Sequence, residues 1–310
     1  MPVIPQAAMV LAAGLGARLR PLSLSRPKPL FPVLNRPMLG ICLERLHEAG
    51  VRLAAVNAFH LAPRIEAFLE EAAPSFPGME LRLSRERELL GTGGGIRKAA
   101  GHFGEPLFVV NGDVHGDIPL AALAEAHASR PGALATLAVV DRPDKATVSV
   151  GEEDAILSFR EKGPVPGEKA RLCGAGVMVL SPEALARLPD GPSDVIAELR
   201  AMILGGGRAG VLRLGPEAEW CDIGTPGDYY SLNHRLARGG RFAEGARIDA
   251  ETEGFLAAEP GAWIQEGARV RDCILWSGAV AESGCDLSGM IVAGIARSGV
   301  RMRGGVITGS

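Results

Sequence analysis

The sequence predicts an α/β protein with a mixed, mainly parallel sheet, helices on both faces and a short β-helix-like segment at its end. Two observations predict the sheet. Strand-like and helix-like segments alternate through the first two-thirds of the 310 residues, and a glycine-rich turn follows the first apolar run. A third observation predicts the β-helix, because apolar and small residues recur every six positions near the C-terminus.

The first half of the predicted sheet consists of short apolar strands that alternate with amphipathic helices. Such alternation implies parallel strands, whose ligands bind beyond the carboxyl ends. Glycines and polar residues stand at two of these ends, 14–18 and 111–113, so we expect them to share one site. The predicted strands are Met9–Ala13, Leu53–Ala58, Leu81–Arg85 and Leu107–Val110, and the predicted helices are Leu39–Ala49, Pro63–Ala72 and Thr92–Ala100.

The second half has more strands and fewer helices, which predicts a partly antiparallel extension of the same sheet. Residues 1–240 are therefore expected to form one α/β domain. The predicted strands are Leu134–Val140, Thr147–Val150, Ile156–Glu161, Gly174–Leu180 and Gly210–Leu214, and the predicted helices are Asp194–Leu204 and Pro226–Arg238.

Residues 241–310 are predicted to form a connector and a short hexapeptide-repeat tail. The connector, Arg241–Ala262, is polar and rich in glycine, and Ile264, Val270 and Trp276 then follow six residues apart. A few short strands separated by glycine turns remain the alternative. The tail is too short to suggest an active site of its own, which favours packing, oligomerisation or effector sensing. The same spacing of six links Cys273, Ala279, Cys285 and Ile291.

Composition narrows the classes of function. A net charge of −3 argues against a general nucleic-acid binder. The N-terminus lacks the basic n-region of a signal peptide, and no apolar run approaches the roughly 20 residues that a membrane-spanning helix needs. The five cysteines are scattered without a C-x-x-C pair, which favours free thiols in a reducing compartment. We therefore expect a cytoplasmic protein with no membrane or nucleic-acid partner.

The segment 10–34 carries the clearest chemical signal. Gly14 and Gly16 end the first strand, and glycines let backbone N–H groups approach a polyphosphate closely. Arg18 follows within one turn and can neutralise phosphate charge. Lys28 stands between two prolines that we expect to hold its segment extended. These features make Arg18 and Lys28 candidates for binding a triphosphate and its transition state.

The whole pattern is more specific than a single Gly-x-Gly turn, and it resembles the signature of the sugar-1-phosphate nucleotidyltransferases. This resemblance covers residues 9–235 and implies the Rossmann-like fold of that family. It also implies that the C-terminal segment is a left-handed β-helix, as in many members. The matching residues are Leu11-Ala12-Ala13-Gly14, Gly16, Arg18-Leu19, Pro21-Leu22, Pro27-Lys28-Pro29-Leu30 and Pro32-Val33.

The resemblance implies that a sugar-1-phosphate oxygen attacks the α-phosphorus of an NTP and releases pyrophosphate. Catalysis then consists mainly of alignment and charge neutralisation, for which Mg²⁺ on one or two carboxylates is suited. Asp113, in V-V-N-G-D-V, and Asp222, in W-C-D-I-G-T, stand where the family has its two metal ligands. Each could instead be an ordinary turn or helix-start residue.

The remaining site residues are also implied by the resemblance. Glu161 would accept hydrogen bonds from the sugar hydroxyls, Lys162 would bind the sugar phosphate, and Gly176 would border the sugar. An exposed Glu-Lys pair before a turn is the alternative for the first two. The residues expected at the nucleotide are Leu11, Ala12, Ala13, Gly14, Gly16, Glu88, Gly93 and Asn111.

Several choices stay open from the sequence. UTP and GTP are the expected nucleotides, because the sequence resembles both N-acetylmuramate-1-phosphate uridylyltransferases and mannose-1-phosphate guanylyltransferases. A phosphocholine-type cytidylyltransferase is disfavoured, since aromatic residues make up only 5% of the chain and such an acceptor usually needs an aromatic cage. A non-catalytic regulatory subunit that binds a nucleotide sugar is a further alternative. A homo-oligomer formed through the C-terminal segment is also expected.

Overall fold

The computed structural model describes residues 4–103 and 106–309. The chain divides into two compact units. The first unit contains Met1–Gly14 and Ile41–Trp220, and the second contains Leu15–Gly40 and Cys221–Ser310. The glycine-rich signature is therefore divided after Gly14, and most of it belongs to the second unit.

The helices and strands are numbered in chain order. The helices are α1 (Met38–Glu48), α2 (Ala62–Ala72), α3 (Gly91–Ala99), α4 (Leu120–Ala128), α5 (Pro182–Arg187), α6 (Val195–Leu204) and α7 (Pro226–Ala237). The strands up to residue 222 are β1 (Ala7–Leu11), β2 (Pro32–Val33), β3 (Arg36–Pro37), β4 (Leu53–Ala58), β5 (Glu80–Arg85), β6 (Leu107–Asn111), β7 (Val114–Gly116), β8 (Ala133–Val140), β9 (Val148–Val150), β10 (Ile156–Phe159), β11 (Ala170–Leu180), β12 (Arg208–Arg213) and β13 (Trp220–Asp222). The strands that follow are β14 (Arg241–Phe242), β15 (Arg247–Ile248), β16 (Thr252–Ala258), β17 (Trp263–Ile264), β18 (Arg269–Leu275), β19 (Val280–Ala281), β20 (Asp286–Ala296) and β21 (Arg301–Gly309).

The first unit is built on a nine-stranded sheet with the order β10-β9-β11-β6-β1-β4-β5, and β8 joins β11 to β12. Strands β6, β1, β4 and β5 are parallel, whereas β11 runs antiparallel to β6, β8 and β9. The predicted mixed, mainly parallel sheet with an antiparallel second half is confirmed. Its core consists of apolar residues, such as Met9 and Val109 in the strands and Leu199 in α6. Strands that are covered on both faces read as continuous apolar runs.

Three local predictions for the first unit were wrong. The first strand lies two residues earlier than expected and ends at Leu11, because the next N–H, on Ala12, donates to the Asn57 side chain. Strand β10 ends at Phe159 rather than Glu161, because Arg160 adopts a left-handed backbone with φ of 57°. The third error is an omission of helices α4 and α5: α5 has only six residues, and apolar residues in α4 occupy nearly every position, which hides the helical period.

The second unit contains the predicted β-helix-like segment. Parallel strands β14, β16, β18, β20 and β21 form one face, and β15, β17, β19 and β20 form another. Its interior is filled by small and apolar side chains, including Leu256, Cys273 and Leu287. The expected connector was wrong, because Arg241–Ala262 already contributes strands β14 to β16 to the parallel coils.

Two further observations bear on the expected class of protein. Within the part of the chain that the structure describes, no helix has the length and apolar character to cross a membrane. All five cysteines are free, and four of them are buried. Burial raises the pKa of the Cys42 thiol to about 12, so this side chain stays protonated and unreactive at neutral pH.

Candidate active site

Several predicted nucleotide-binding residues lie together at the carboxyl ends of β1 and β6. Leu11 and Asn111 are register partners in these parallel strands, and the Gly112 N–H donates to the Leu11 carbonyl at 2.9 Å. Ala12 and Ala13 are buried beside them, whereas Gly14 is exposed and a Cβ there would meet nothing within 4 Å. Backbone at Gly14 is therefore open to a ligand, as the sequence predicted for a phosphate-binding turn.

Asn57 fixes this turn, and sequence analysis assigned it no role. Its Oδ1 accepts from the Ala12 N–H at 2.7 Å, and its Nδ2 donates to Glu86 Oε1 at 2.7 Å. Glu86 is 5% exposed and also accepts from the Leu90 N–H at 3.1 Å. The buried acid of this loop is thus Glu86, whereas the predicted Glu88 is exposed. A polar Asn inside the apolar strand L-A-A-V-N-A was the signal that could have found this network.

The glycine cluster at the start of α3 is explained by close packing within the first unit. The Gly93 N–H donates to the Ser193 carbonyl at 2.9 Å, and a Cβ on Gly93 would clash with the Ser193 hydroxyl. A Cβ on Gly95 would lie 2.6 Å from Asn57 Nδ2 and 2.9 Å from Glu86 Oε1. These glycines bring α3 against the Asn57–Glu86 pair and the loop before α6. The assignment of Gly93 to the nucleotide stays a prediction.

A cavity of about 230 Å³ opens beside Asn111 and Gly176. Gly176 has φ of 77°, and a Cβ there would lie 3.1 Å from Asn111 Nδ2, so only glycine fits this wall. Arg160 and Asp194 also line the cavity, and Arg160 Nη2 lies 3.2 Å from Asp194 Oδ2. Phe159 is the aromatic residue in the lining. The structure therefore brings Asn111, which was predicted at the nucleotide, and Gly176, which was predicted at the sugar, to one cavity, and their roles stay predictions.

Glu161 and Lys162 do not line this cavity. Glu161 Oε1 accepts from the Ser158 hydroxyl at 2.7 Å and from Arg200 Nε at 3.0 Å. The Arg200 hydrogen bond, followed by that of Ser158, lowers the pKa of Glu161 and keeps it ionised at neutral pH. Lys162 is exposed. Their assignment to the sugar phosphate stays a prediction, and Arg160 is the residue of this segment that reaches the cavity.

The second unit holds the cationic part of the signature. Gly16 has φ of 59°, and a Cβ there would lie 3.1 Å from Ser23 Cβ, while the Ser23 hydroxyl donates to the Gly16 carbonyl at 2.8 Å. Lys28 begins a 3₁₀ turn over Lys28–Leu30, so the expectation of an extended segment was wrong. The fixed φ of Pro29 suits a helical turn as well as an extended chain.

Three predicted residues of the second unit lie close together. Lys28 Nζ is 3.4 Å from Asp222 Oδ1, and the Lys28 side chain is only 11% exposed. The Arg18 guanidinium lies against Gly224, where a Cβ would be 3.2 Å from Arg18 Nη1. In the W-C-D-I-G-T segment, the Asp222 carboxylate therefore contacts Lys28, and Gly224, which has no side chain, leaves room for Arg18. Thr225 caps α7 in a capping box with Asp228, directly before Pro226 at the first helical position.

The two predicted metal ligands belong to different units, Asp113 to the first and Asp222 to the second. Both side chains are partly exposed, and both supply the hard oxygen atoms that Mg²⁺ prefers. Across residues 4–103 and 106–309, no group of three or more His, Cys, Asp or Glu side chains is arranged to hold a metal ion. A site made of one or two carboxylates and substrate phosphates does not require such a group.

The chain is similar to known nucleotidyltransferases. The sequence model described as nucleotidyl transferase matches residues 7–239. A probable mannose-1-phosphate guanylyltransferase of Oryza sativa is 34% identical, with 91% of this chain and 79% of that protein covered. The mannose-1-phosphate guanylyltransferase of Mycobacterium tuberculosis is 31% identical, with 90% and 82% covered. An N-acetylmuramate α-1-phosphate uridylyltransferase of Caulobacter vibrioides is 32% identical, with 75% and 98% covered.

A solved structure supports the fold. HddC from Yersinia pseudotuberculosis, crystallised with GMP-PN, superposes with a TM-score of 0.61 at 24% identity, and 74% of this chain and 99% of that chain are covered. The protein belongs to the nucleotidyl transferase family, which confirms the resemblance drawn from its signature. It is accordingly an enzyme, and the alternative of a non-catalytic regulatory subunit is set aside.

Gly224→Ala tests whether the bare backbone at this position lets Arg18 reach its place. The added Cβ would lie 3.1 Å from Asp228 Oδ2 and 3.2 Å from Arg18 Nη1. We expect the Arg18 guanidinium to shift and turnover to fall by about tenfold or more, with only a small loss of thermal stability, because both contacts are with the ends of side chains. Gly227→Ala is the matched control, since its Cβ would meet only Thr225 Oγ1 at 3.6 Å. Equal turnover in the two variants would show that Arg18 does not depend on Gly224.

Proposed function

We propose that the protein catalyses Mg²⁺-dependent transfer of a nucleotidyl group from an NTP to a sugar 1-phosphate, with release of pyrophosphate. The observation that carries this proposal is the cluster of Lys28, Asp222 and Arg18 in the second unit, with Lys28 Nζ 3.4 Å from Asp222 Oδ1. It combines two cations and a carboxylate in the order that the family signature requires. Attack of one phosphate on another needs such neutralisation, because both partners are anionic.

The chain's own residues supply binding and alignment. Lys28 and Arg18 stabilise the triphosphate and the charge that develops on the leaving pyrophosphate. The open backbone at Gly14 and the αL turn at Gly16 approach the phosphates. Asp113 and Asp222 would hold Mg²⁺, which when bound neutralises phosphate oxygens and orients them for in-line displacement.

The cavity of the first unit is the proposed acceptor subsite. Its volume of about 230 Å³ lies below the roughly 300–1,000 Å³ of drug-sized ligand sites and suits a monosaccharide. Asn111, Thr92 and Asp194 provide polar groups for sugar hydroxyls. Phe159 alone in the lining cannot form the aromatic cage that a choline headgroup usually requires. The phosphocholine-type alternative is therefore not favoured.

GTP with a hexose 1-phosphate is the first choice of substrates. The guanylyltransferases of Oryza sativa and Mycobacterium tuberculosis match 90–91% of this chain, a share that extends into the C-terminal coils. UTP with an acidic amino-sugar 1-phosphate is the second choice, and one observation favours it. Arg160 lines the cavity from a left-handed backbone conformation, where its guanidinium could pair with a carboxylate on the acceptor.

The proposal also covers the cellular location of the protein and its partners. A net charge of −3 and the burial of four free thiols support action in the cytoplasm without a nucleic-acid partner. Self-association through the C-terminal coils is also part of the proposal, and the long strand β21, which pairs with β20, is a candidate surface for it.

The substrate test is pyrophosphate release across a grid of nucleotides and acceptors. The grid crosses the four ribonucleoside triphosphates and dTTP with the 1-phosphates of glucose, mannose, N-acetylglucosamine, N-acetylmuramic acid and heptose. We expect one strong pair, GTP with mannose 1-phosphate, and loss of that signal when EDTA removes Mg²⁺. UTP with the muramic acid acceptor would favour the second choice. No release by the folded protein for any pair would contradict the proposal.

Asp113→Asn tests the proposed metal ligand. The substitution keeps the size of the side chain but removes its charge, so we expect turnover to fall about 100-fold or more at saturating Mg²⁺ with the circular dichroism spectrum unchanged. Asp117→Asn is the matched control, because Asp117 is 75% exposed and pairs with Arg45 at 2.9 Å. Equal effects of the two substitutions would remove Asp113 from the metal site.

A further inference from the structure

Arg26, two residues before Lys28 in the signature, is bound by the β-helix of the same unit. Its Nη1 lies 2.9 and 2.8 Å from the two carboxylate oxygens of Glu259, and its guanidinium carbon lies 4.4 Å from the centre of the Trp276 ring. The side chains of Arg26 and Glu259 are only 17% and 13% exposed. A half-buried ion pair with an aromatic face beneath the cation is a fixed contact rather than a mobile surface pair.

The residues after Lys28 are held by the same surface. Phe31 packs edge-on against Tyr229 and Trp276, with ring centres 5.3 and 4.9 Å away. Trp276 Nε1 donates to the Tyr229 hydroxyl at 3.0 Å, and that hydroxyl donates to the Pro32 carbonyl at 2.7 Å. Lys28 therefore lies between two anchored points, one on each side of its 3₁₀ turn.

Asn35 adds a third anchor further along the segment. Its Nδ2 donates to the carbonyls of Phe242 and Ala258, at 2.8 and 2.7 Å. Both carbonyls belong to the strands β14 and β16 of the coils. After Gly14, the signature segment contains only 3₁₀ turns and two-residue strands, so these contacts with the coils help to fix its conformation.

Glu259 can be compared with a second glutamate of the coils that makes the same local contacts. Glu259 accepts from the Ser277 N–H at 2.8 Å, and Glu282 accepts from the Ser298 N–H at 3.0 Å. Each glutamate also pairs with an arginine, but the arginine of Glu282 is Arg297, a neighbour within the coils. Only the pairing of Glu259 reaches back to the catalytic segment, which separates a local coil role from a role at Lys28.

We infer that Glu259 and Trp276 are positioning residues for the nucleotidyl transfer reaction, because they fix Arg26 and thereby place the Lys28 ammonium against Asp222. The β-helix thus acts on catalysis through the segment it holds, and not only as a structural or self-associating element. The inference rests on the proposed function for its kinetic consequence. Its structural consequence, a fixed Lys28, can be measured without turnover.

Glu259→Gln in the full chain tests the inference, with Glu282→Gln as the matched control. Glutamine retains an oxygen that can accept from the Ser277 N–H but loses the ion pair with Arg26. We expect kcat to fall by about tenfold or more, with a smaller change in the KM of the nucleotide, because a displaced catalytic group costs rate at saturation. The melting temperatures of the two variants should change by similar amounts. Equal kcat values for Glu259→Gln and Glu282→Gln would overturn the inference.

A double-mutant cycle tests whether the effect of Glu259 on kcat depends on Lys28. In the Lys28→Ala background, Glu259→Gln should lower kcat little further, because the group that it positions is already absent. Full additivity of the two effects would overturn the inference. Glu282→Gln should behave identically in both backgrounds.

A chemical measurement keeps the inference separate from the proposed function. Acetic anhydride modifies accessible lysine amines, and peptide mass spectrometry gives the rate at Lys28. We expect slow modification in the wild type, where Lys28 is 11% exposed, and several-fold faster modification in Glu259→Gln but not in Glu282→Gln. An unchanged rate in Glu259→Gln would overturn the inference even in an active enzyme. An inactive wild type that shows the rate difference would instead contradict only the proposed function.

Discussion

The pairing of Lys28 with Asp222 is the interaction on which the rest of the second unit depends. The Lys28 side chain is only 11% exposed, so its charge is partly desolvated, and the Asp222 carboxylate at 3.4 Å compensates part of that cost. In the proposed reaction, the surrounding chain has to keep the Lys28 ammonium in place while leaving it able to bind a phosphate. The αL turn at Gly16, the 3₁₀ turn at Lys28 and the anchors on the coils all serve that requirement.

The fold separates two tasks between its units. The first unit uses parallel strands β1 and β6 to present the Leu11–Gly14 turn and Asn111, and uses the glycine wall at Gly176 to leave a monosaccharide-sized cavity. The second unit supplies the cations of the signature and the carboxylate of Asp222. The polar core of the first unit, Asn57 with Glu86, is fully hydrogen-bonded, so it stiffens the turn without leaving a buried group unsatisfied.

The sequence could predict those features that depend on residues close to one another in the chain. Apolar runs located the strands, Pro226 located the start of α7, and the ordered signature identified the family. Contacts between distant residues could not be predicted. Arg26 and Glu259 are 233 residues apart, and nothing near either of them indicates the other. Arg160 lines the cavity from a backbone with a positive φ, which the sequence does not indicate. Two-residue strands such as β14 are too short to show a period of two.

The most direct test of the central claim is the rate of nucleotidyl transfer by Lys28→Met at saturating substrates. Methionine keeps much of the apolar stem of lysine and removes only the charge, so the segment should stay folded on the coils. The account predicts that kcat falls by about 100-fold or more while the melting temperature changes little, because a preorganised cation at the phosphates is lost. A kcat equal to that of the wild type would contradict the role given to Lys28 and the arrangement built around it.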